Sequence, residues 1–180
     1  MKEALRLFAS HFTPPGLDSG GAVSVSSLVG GSDAFAAMSL AEAGTRVVLA
    51  VTPGLPDADR LADDLRLIGA SVLEFPPPLD GDRSALGSRL KTIAALRAWS
   101  MRPYPCVVVA AYPALATPIP AEGIKPLSLG IGAERLETVA HRLSPMGYNR
   151  TVAVEQEGDY SVRGGIIDAW SPGEIGRAHV

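Results

Sequence analysis

The residues that could do chemistry fall into a few groups. One is the turn Val29-Gly30-Gly31-Ser32-Asp33, glycines followed by a hydroxyl where a helix is expected to begin. Backbone amides at such a turn can hold the phosphates of a nucleotide. A working phosphate loop, however, reads G-x-x-x-x-G-K-S/T, because its lysine must reach the outer phosphates and its hydroxyl must hold magnesium. This turn is too short and has no lysine, and Asp33 would repel a phosphate at the helix start. Gly30, Gly31 and Ser32 therefore read as a degenerate loop, and no cofactor is expected on this chain.

The second group is Arg163-Gly164-Gly165, one long cation beside two residues that have no β-carbon. Glycines there allow another backbone to approach closely, or the strand to bulge. A planar guanidinium can hold a carboxylate through two bonds, which makes Arg163 a candidate anchor for a partner protein. The alternative is a solvated strand arginine paired with Asp159 or Glu157. Asp168 and Glu155 could suggest paired carboxylates for acid–base work; on adjacent strands they are expected instead to satisfy local amides or arginines. His11, His141 and His179 lack the spacing of metal ligands, so neither a metal site nor a catalytic residue is expected. Arg83, Arg89 and Arg97 share one helix and read as its solvated face. Tyr148, Tyr160 and Trp170 read as the core of a small hairpin rather than an exposed aromatic patch.

Composition bounds these readings. The chain has 180 residues, 47% of them hydrophobic, which suffices for one α/β domain and part of a second. A net charge of −3 gives no basic excess, so direct duplex binding by this piece is disfavoured. Cys106 is the sole cysteine and lies against Val107-Val108-Val109, so it reads as a buried, reduced thiol. No apolar run is long enough to span a membrane, and the amino terminus lacks a signal-peptide layout. A cytoplasmic location and no membrane partner are expected.

The elements that must position these groups follow from periodicity. Leu5, Leu7, Phe8 and Phe12 mark a short helix ended by Pro14-Pro15-Gly16, and residues 1–21 form an amino-terminal helix and linker. Ala22–Val29 reads as a first strand and Ala34–Ala43 as a helix capped by Ser32 or Asp33. Arg46–Val51 is a continuous apolar run, the pattern of a central parallel strand covered on both faces. A helix from Pro56, a strand over Ser71–Phe75, a helix over Asp82–Trp99 with Leu86, Leu90, Ile93 and Ala94 inward, and a buried strand over Pro105–Ala111 complete the alternation. The fold class expected for 22–118 is thus α/β, a doubly wound parallel sheet with a degenerate P-loop-like turn. Pro118, Pro120, Gly123 and Pro126 mark a boundary. Beyond it come a strand (Leu127–Gly130), a helix (Ala133–Leu143), a strand (Thr151–Val154) and a reversal at Gly158-Asp159. These make a smaller α+β domain over 119–173, cut short at its carboxyl end and left with an unpaired strand edge. Residues 174–180 read as a non-native tail.

The pattern Gly147-Tyr148-Asn149-Arg150, the acidic Glu155 and Glu157, Gly158-Asp159-Tyr160, Arg163-Gly164-Gly165-Ile166-Ile167-Asp168 and Pro172-Gly173 resembles a module found in bacterial repair proteins. It is the amino-terminal module shared by transcription-repair coupling factors and UvrB, the excision-repair helicase subunit; the spelling from Arg163 to Asp168 is closer to the former. In that family UvrB keeps a working phosphate loop and the coupling factors a degenerate copy, so the turn at Gly30 sides with the coupling factors. The resemblance implies a scaffold that recruits UvrA, the damage-sensing ATPase, with Arg163 as docking residue and Arg150 as a second basic contact. It also implies a parent DNA translocase that displaces stalled RNA polymerase, with ATP, magnesium, RNA polymerase and DNA bound by domains beyond Val180. Two other readings are a UvrB-type helicase subunit and a stand-alone α/β enzyme with a pocket near Thr52, Asp57 and Tyr112.

Overall fold

The computed structural model describes residues 7, 22–78, 83–118, 127, 135–171 and 178–179. Of the helix expected around Leu5–Phe12 only Leu7 is among them, helical and exposed; of the strand expected over Leu127–Gly130, only Leu127. The remainder of both lies outside the described residues. The chain divides into two compact units, Met1–Pro77 with Thr92–Pro118, and Pro78–Lys91 with Ile119–Val180.

In the first unit the elements are α1 (Ser32–Glu42), β1 (Val47–Thr52), α2 (Leu55–Leu67), β2 (Val72–Phe75), the second half of α3 (Arg83–Trp99), β3 (Cys106–Ala111) and the one-turn α4 (Tyr112–Leu115). The strands form a parallel sheet in the order β1-β3-β2. Because alternate side chains leave a strand on opposite faces, Val107, Val109 and Ala111 pack against Ala37, Ala41, Leu61 and Leu65 of α1 and α2. Val108 and Ala110 pack with Phe75 and Ala114, and with Ile93 and Leu96 of α3. Every residue of β3 is buried, so each valine there contributes roughly 1.5–3 kcal/mol of apolar burial.

The helix α2 shows why the sequence stops and starts where it does. Pro56 occupies its first turn, where a missing amide hydrogen costs nothing, and Asp57 and Arg66 sit at the ends that favour their charges. At its far end Gly69 takes a φ of +85°. The amides of Gly69 and Ala70 donate back to the carbonyls of Arg66 and Leu65, each at 3.0 Å, closing the last turn.

Several expectations are corrected here. Ala22–Val29 forms no strand: Val23, Val25, Leu28 and Val29 are exposed, and Ser27 has a φ of +63°, which breaks an extended run. The turn at Gly30 is therefore entered from an irregular segment rather than from a strand. The run Arg46–Val51 is not central: among the described residues β1 lies at the sheet's edge, with Leu49 and Val51 about half exposed. An apolar run reads alike at an edge and at a centre; what differs is the cover, which α3 and α4 supply over β3 and β2. On α3 the buried stripe passes through Ala85, Arg89 and Thr92, at i, i+4 and i+7. Leu86, expected inward, is rotated off that stripe and half exposed, and Ala94 is exposed as well. Thr92 Oγ1 donates to the Glu74 carbonyl at 2.6 Å, tying the helix to β2.

The second unit carries α5 (Leu136–Leu143), a 3₁₀ turn (Ser144–Met146), β4 (Asn149–Arg150), β5 (Asp159–Arg163), β6 (Ile166–Ala169) and β7 (Ala178–His179). Its sheet is mixed, in the order β4-β5-β6-β7, with β4 parallel to β5 and the other pairs antiparallel. The helix lays Val139 and Leu143 on Tyr160, Ile167 and Ala169. Tyr160 and, in part, Tyr148 belong to this core, as expected of aromatics in a small sheet.

The strand expected over Thr151–Val154 is replaced by an irregular connection. Val152 is 84% exposed and Val154 is 2% exposed, whereas strand residues two apart share a face. A parallel β4–β5 pair requires the chain to travel back before β5 begins, and residues 151–157 make that return. The edge expected to be unpaired is also corrected, since β7 pairs with β6 at Asp168 and Ala169. Backbone groups at an open edge take any extended backbone beside them, whatever its side chains.

Candidate functional site

The chain reverses between β5 and β6 at Gly164-Gly165, and not through a bulge. The two glycines have φ of +55° and +93°, the positive pair that a tight I′ turn requires. A β-carbon added at either would meet nothing within 4 Å, so these positions are glycine for conformation and not for a close approach within the molecule. The turn sets Arg163 directly opposite Ile166, Val162 opposite Ile167, Ser161 opposite Asp168 and Tyr160 opposite Ala169.

Two faces result. Tyr160, Val162, Ile167 and Ala169 look toward α5. Ser161, Arg163, Ile166 and Asp168 look the other way. Near the strand centre that second face is closed: Asp159, Ser161 and Asp168 are all buried, and Ser161 Oγ donates to the Val152 carbonyl at 3.0 Å. Toward the tip it opens, with Arg163 and Ile166 exposed. The Arg163 side chain makes no hydrogen bond or ion pair with any described residue, so the pairing with Asp159 or Glu157 considered from sequence is not formed.

Arg150 is exposed too, but it pairs with Tyr160 in the β4–β5 register. It therefore lies on the α5 side, whereas Arg163, three residues farther along β5, lies on the opposite side. The sheet does not bring the two cations together on one face. Glu155 is exposed in the 151–157 connection while Asp168 is buried on β6, so these carboxylates form no pair.

The turn at Gly30 has a different character. Gly30 has a φ of +63°, Ser32 Oγ donates to the Val29 carbonyl at 2.8 Å, and the Ala34 amide donates to Asp33 Oδ1 at 2.9 Å. Asp33 Oδ2 accepts from Arg60 at 2.7 Å, and Arg60 also reaches Asp64 at 3.0 Å. The Arg60 hydrogen bond holds the Asp33 carboxyl below the ordinary carboxylate range. The place where a phosphate would meet helix amides thus already holds a carboxylate. Sequence reading missed Arg60: its link to Asp64 is readable from i, i+4 spacing, but the link to Asp33 depends on packing α2 beside α1.

Other candidates are displaced. Arg89 is only 5% exposed, and burial pulls its guanidinium below its ordinary pKa, so it is no part of a solvated face. Arg97 is exposed, and the Arg83 side chain lies outside the described residues. Cys106 is buried and burial pushes its thiol up, away from reactivity. A cavity of about 10 Å³ beside it, lined by residues including Met38, Glu42 and Ser71, has room for about one water. It lies at the strands' amino-terminal ends, away from Thr52 and Tyr112. Thr52 itself is buried and bonded to the Gly54 carbonyl at 2.9 Å, and Tyr112 stands exposed. Of the histidines, His141 is exposed; His11 and the side chain of His179 lie outside the described residues. Among the described residues no helix is long and apolar enough to cross a membrane.

Among known protein families, the UvrB interaction domain matches residues 127–178. The matched stretch takes in α5, β4, β5 and β6, and with them Arg150 and Arg163. This segment is thus similar to the UvrB interaction domain, in line with the motif read from Gly147 to Gly173. No curated protein matches the chain.

Proposed function

We propose that this chain is the amino-terminal part of a transcription-repair coupling factor and recruits UvrA in transcription-coupled nucleotide excision repair. The observation that carries this reading is the position of Arg163: exposed, without an ion pair to any described residue, at the tip of a hairpin within the matched segment. A short, defined turn fixes the backbone beneath the guanidinium, and its planar fork can hold a carboxylate through two bonds, which favours its use as an anchor. Arg150 supplies a second basic contact from the β4 edge.

In this reading the α/β domain is 22–118, the UvrA-docking domain 119–173, and 174–180 a tail. The first domain burns no nucleotide. Supporting that part are the missing lysine and the Asp33 carboxylate at the helix start, bonded to Arg60. The ATP-dependent translocase, its magnesium, the contacts to DNA and to RNA polymerase belong to the parent protein beyond Val180. The place of work is the cytoplasm.

A UvrB-type helicase subunit shares the matched segment and is the second reading. It requires a working phosphate loop, and titration of the chain with ATP separates the two: the coupling-factor reading expects no heat of binding. The main test is Arg163→Ala in the full chain. Capture of UvrA is expected to be lost while the circular dichroism spectrum stays unchanged; undiminished capture would remove Arg163 from the interface.

A further inference from the structure

We infer that the hairpin tip grips its partner through a cation flanked by aliphatic side chains, with Arg163 on a carboxylate and Ile166 and Val152 buried beside it. The partner surface must then offer an acidic side chain next to an apolar depression. This rests on the UvrA-docking reading and adds to it the chemistry of the surface recognised.

An exposed ion pair in water contributes little, because solvent screens it. A guanidinium acts as a strong anchor when neighbouring contacts exclude water around it. The tip holds the groups to do so. Ile166 is 52% exposed and sits opposite Arg163 in the ladder, where paired β-carbons are about 5 Å apart. Val152 is 84% exposed, and its carbonyl accepts from Ser161 Oγ at 3.0 Å; Ser161 shares its face of β5 with Arg163, two residues and roughly 7 Å farther along the strand. Both aliphatic residues are β-branched and stiff at χ1, so little side-chain entropy is lost on docking. Gly164 and Gly165 present bare backbone at the tip, with open space where β-carbons would be, so a partner can come close.

Charge complementarity selects the occupant. Arg163 has no carboxylate of its own among the described residues, and Asp159 and Asp168 on the same face are buried. Arg150, on the opposite face, lies outside this patch.

The experiment is calorimetric titration of purified UvrA into the full chain at low and high salt. The proteins are wild type, Arg163→Ala, Ile166→Ser, Val152→Ser and the Arg163→Ala/Ile166→Ser double variant, each checked by circular dichroism. The inference expects Ile166→Ser and Val152→Ser each to weaken binding about five- to tenfold at both salt concentrations. It expects the loss from Arg163→Ala to shrink at high salt, and the double variant to lose less than the product of the two single losses. If the serine variants bind like wild type while Arg163→Ala does not, the aliphatic flank is wrong and the docking reading stands. If wild type does not bind UvrA, or every variant binds equally, both fall. If light scattering shows a dimer that Ile166→Ser dissociates, the patch serves a second copy of this chain and the inference is overturned.

Discussion

Among the described residues, two glycine pairs lie close to a charged residue, and they have opposite fates. At Gly30-Gly31 the neighbouring charge is Asp33, taken up within its own unit by Arg60 and by the Ala34 amide. At Gly164-Gly165 it is Arg163, which meets no described partner and stands in solvent. The local spelling is similar, and both turns need positive φ. What separates the two turns is whether the fold satisfies the charge it places there.

That contrast can be tested from both sides. The largest effect is expected from Arg163→Ala, which should weaken UvrA binding by 2 kcal/mol or more, about thirtyfold, if it is a central anchor. Next comes Gly165→Val. A β-branched residue at a φ of +93° should cost about 1–3 kcal/mol in the hairpin. It should lower the melting midpoint and with it UvrA binding, while Gly164→Asn, at +55°, leaves the fold intact; a melting curve of each variant checks both. At the other turn, Asp33→Asn removes the ion pair with Arg60 and should lower the melting midpoint by only about 1–2 °C. It should still not confer ATP binding, because no lysine is supplied; measurable ATP affinity in that variant would mean the carboxylate alone had blocked a competent site.

The smallest effect is a pH dependence. The folded-state pKa of Asp33 is depressed, so its contribution is present above the unfolded carboxylate value and lost as pH falls through the folded one. Melting from pH 6 down to pH 2 should show a shallow loss beginning near pH 4, smaller in Asp33→Asn. An unchanged slope in that variant would show that the pair contributes nothing.

Where the sequence was readable, the signal was physical and local. The run at Cys106–Ala111 is apolar without interruption and became the strand buried at every position. The helix beginning near Pro56 and ending at Gly69 carried its own start and stop chemistry. The motif from Arg163 to Asp168 forms most of a hairpin that turns at Gly164-Gly165, and the expected reversal at Gly158-Asp159 is present too, with Gly158 at a φ of +79° just before β5. The failures share another origin. Ala22–Val29 has strand propensity but no strand beside it among the described residues, and propensity without a ladder does not make a strand. Val152 and Val154 alternate on paper, yet a parallel neighbour forces the chain to turn back there. Arg89 is charged and buried, which periodicity alone assigns to solvent. Pairings between distant residues, such as Asp33 with Arg60, leave no trace in spacing.

The sealed position of Cys106 has a practical consequence. The chain holds one thiol, and it lies on the central strand of the first unit with 1% of its surface accessible. An alkylating reagent can reach it only when that strand is uncovered, so the labelling rate clocks the breathing of one unit and is blind to the other. Alterations made at the hairpin can thus be screened for silent damage to the α/β half with a single mass measurement.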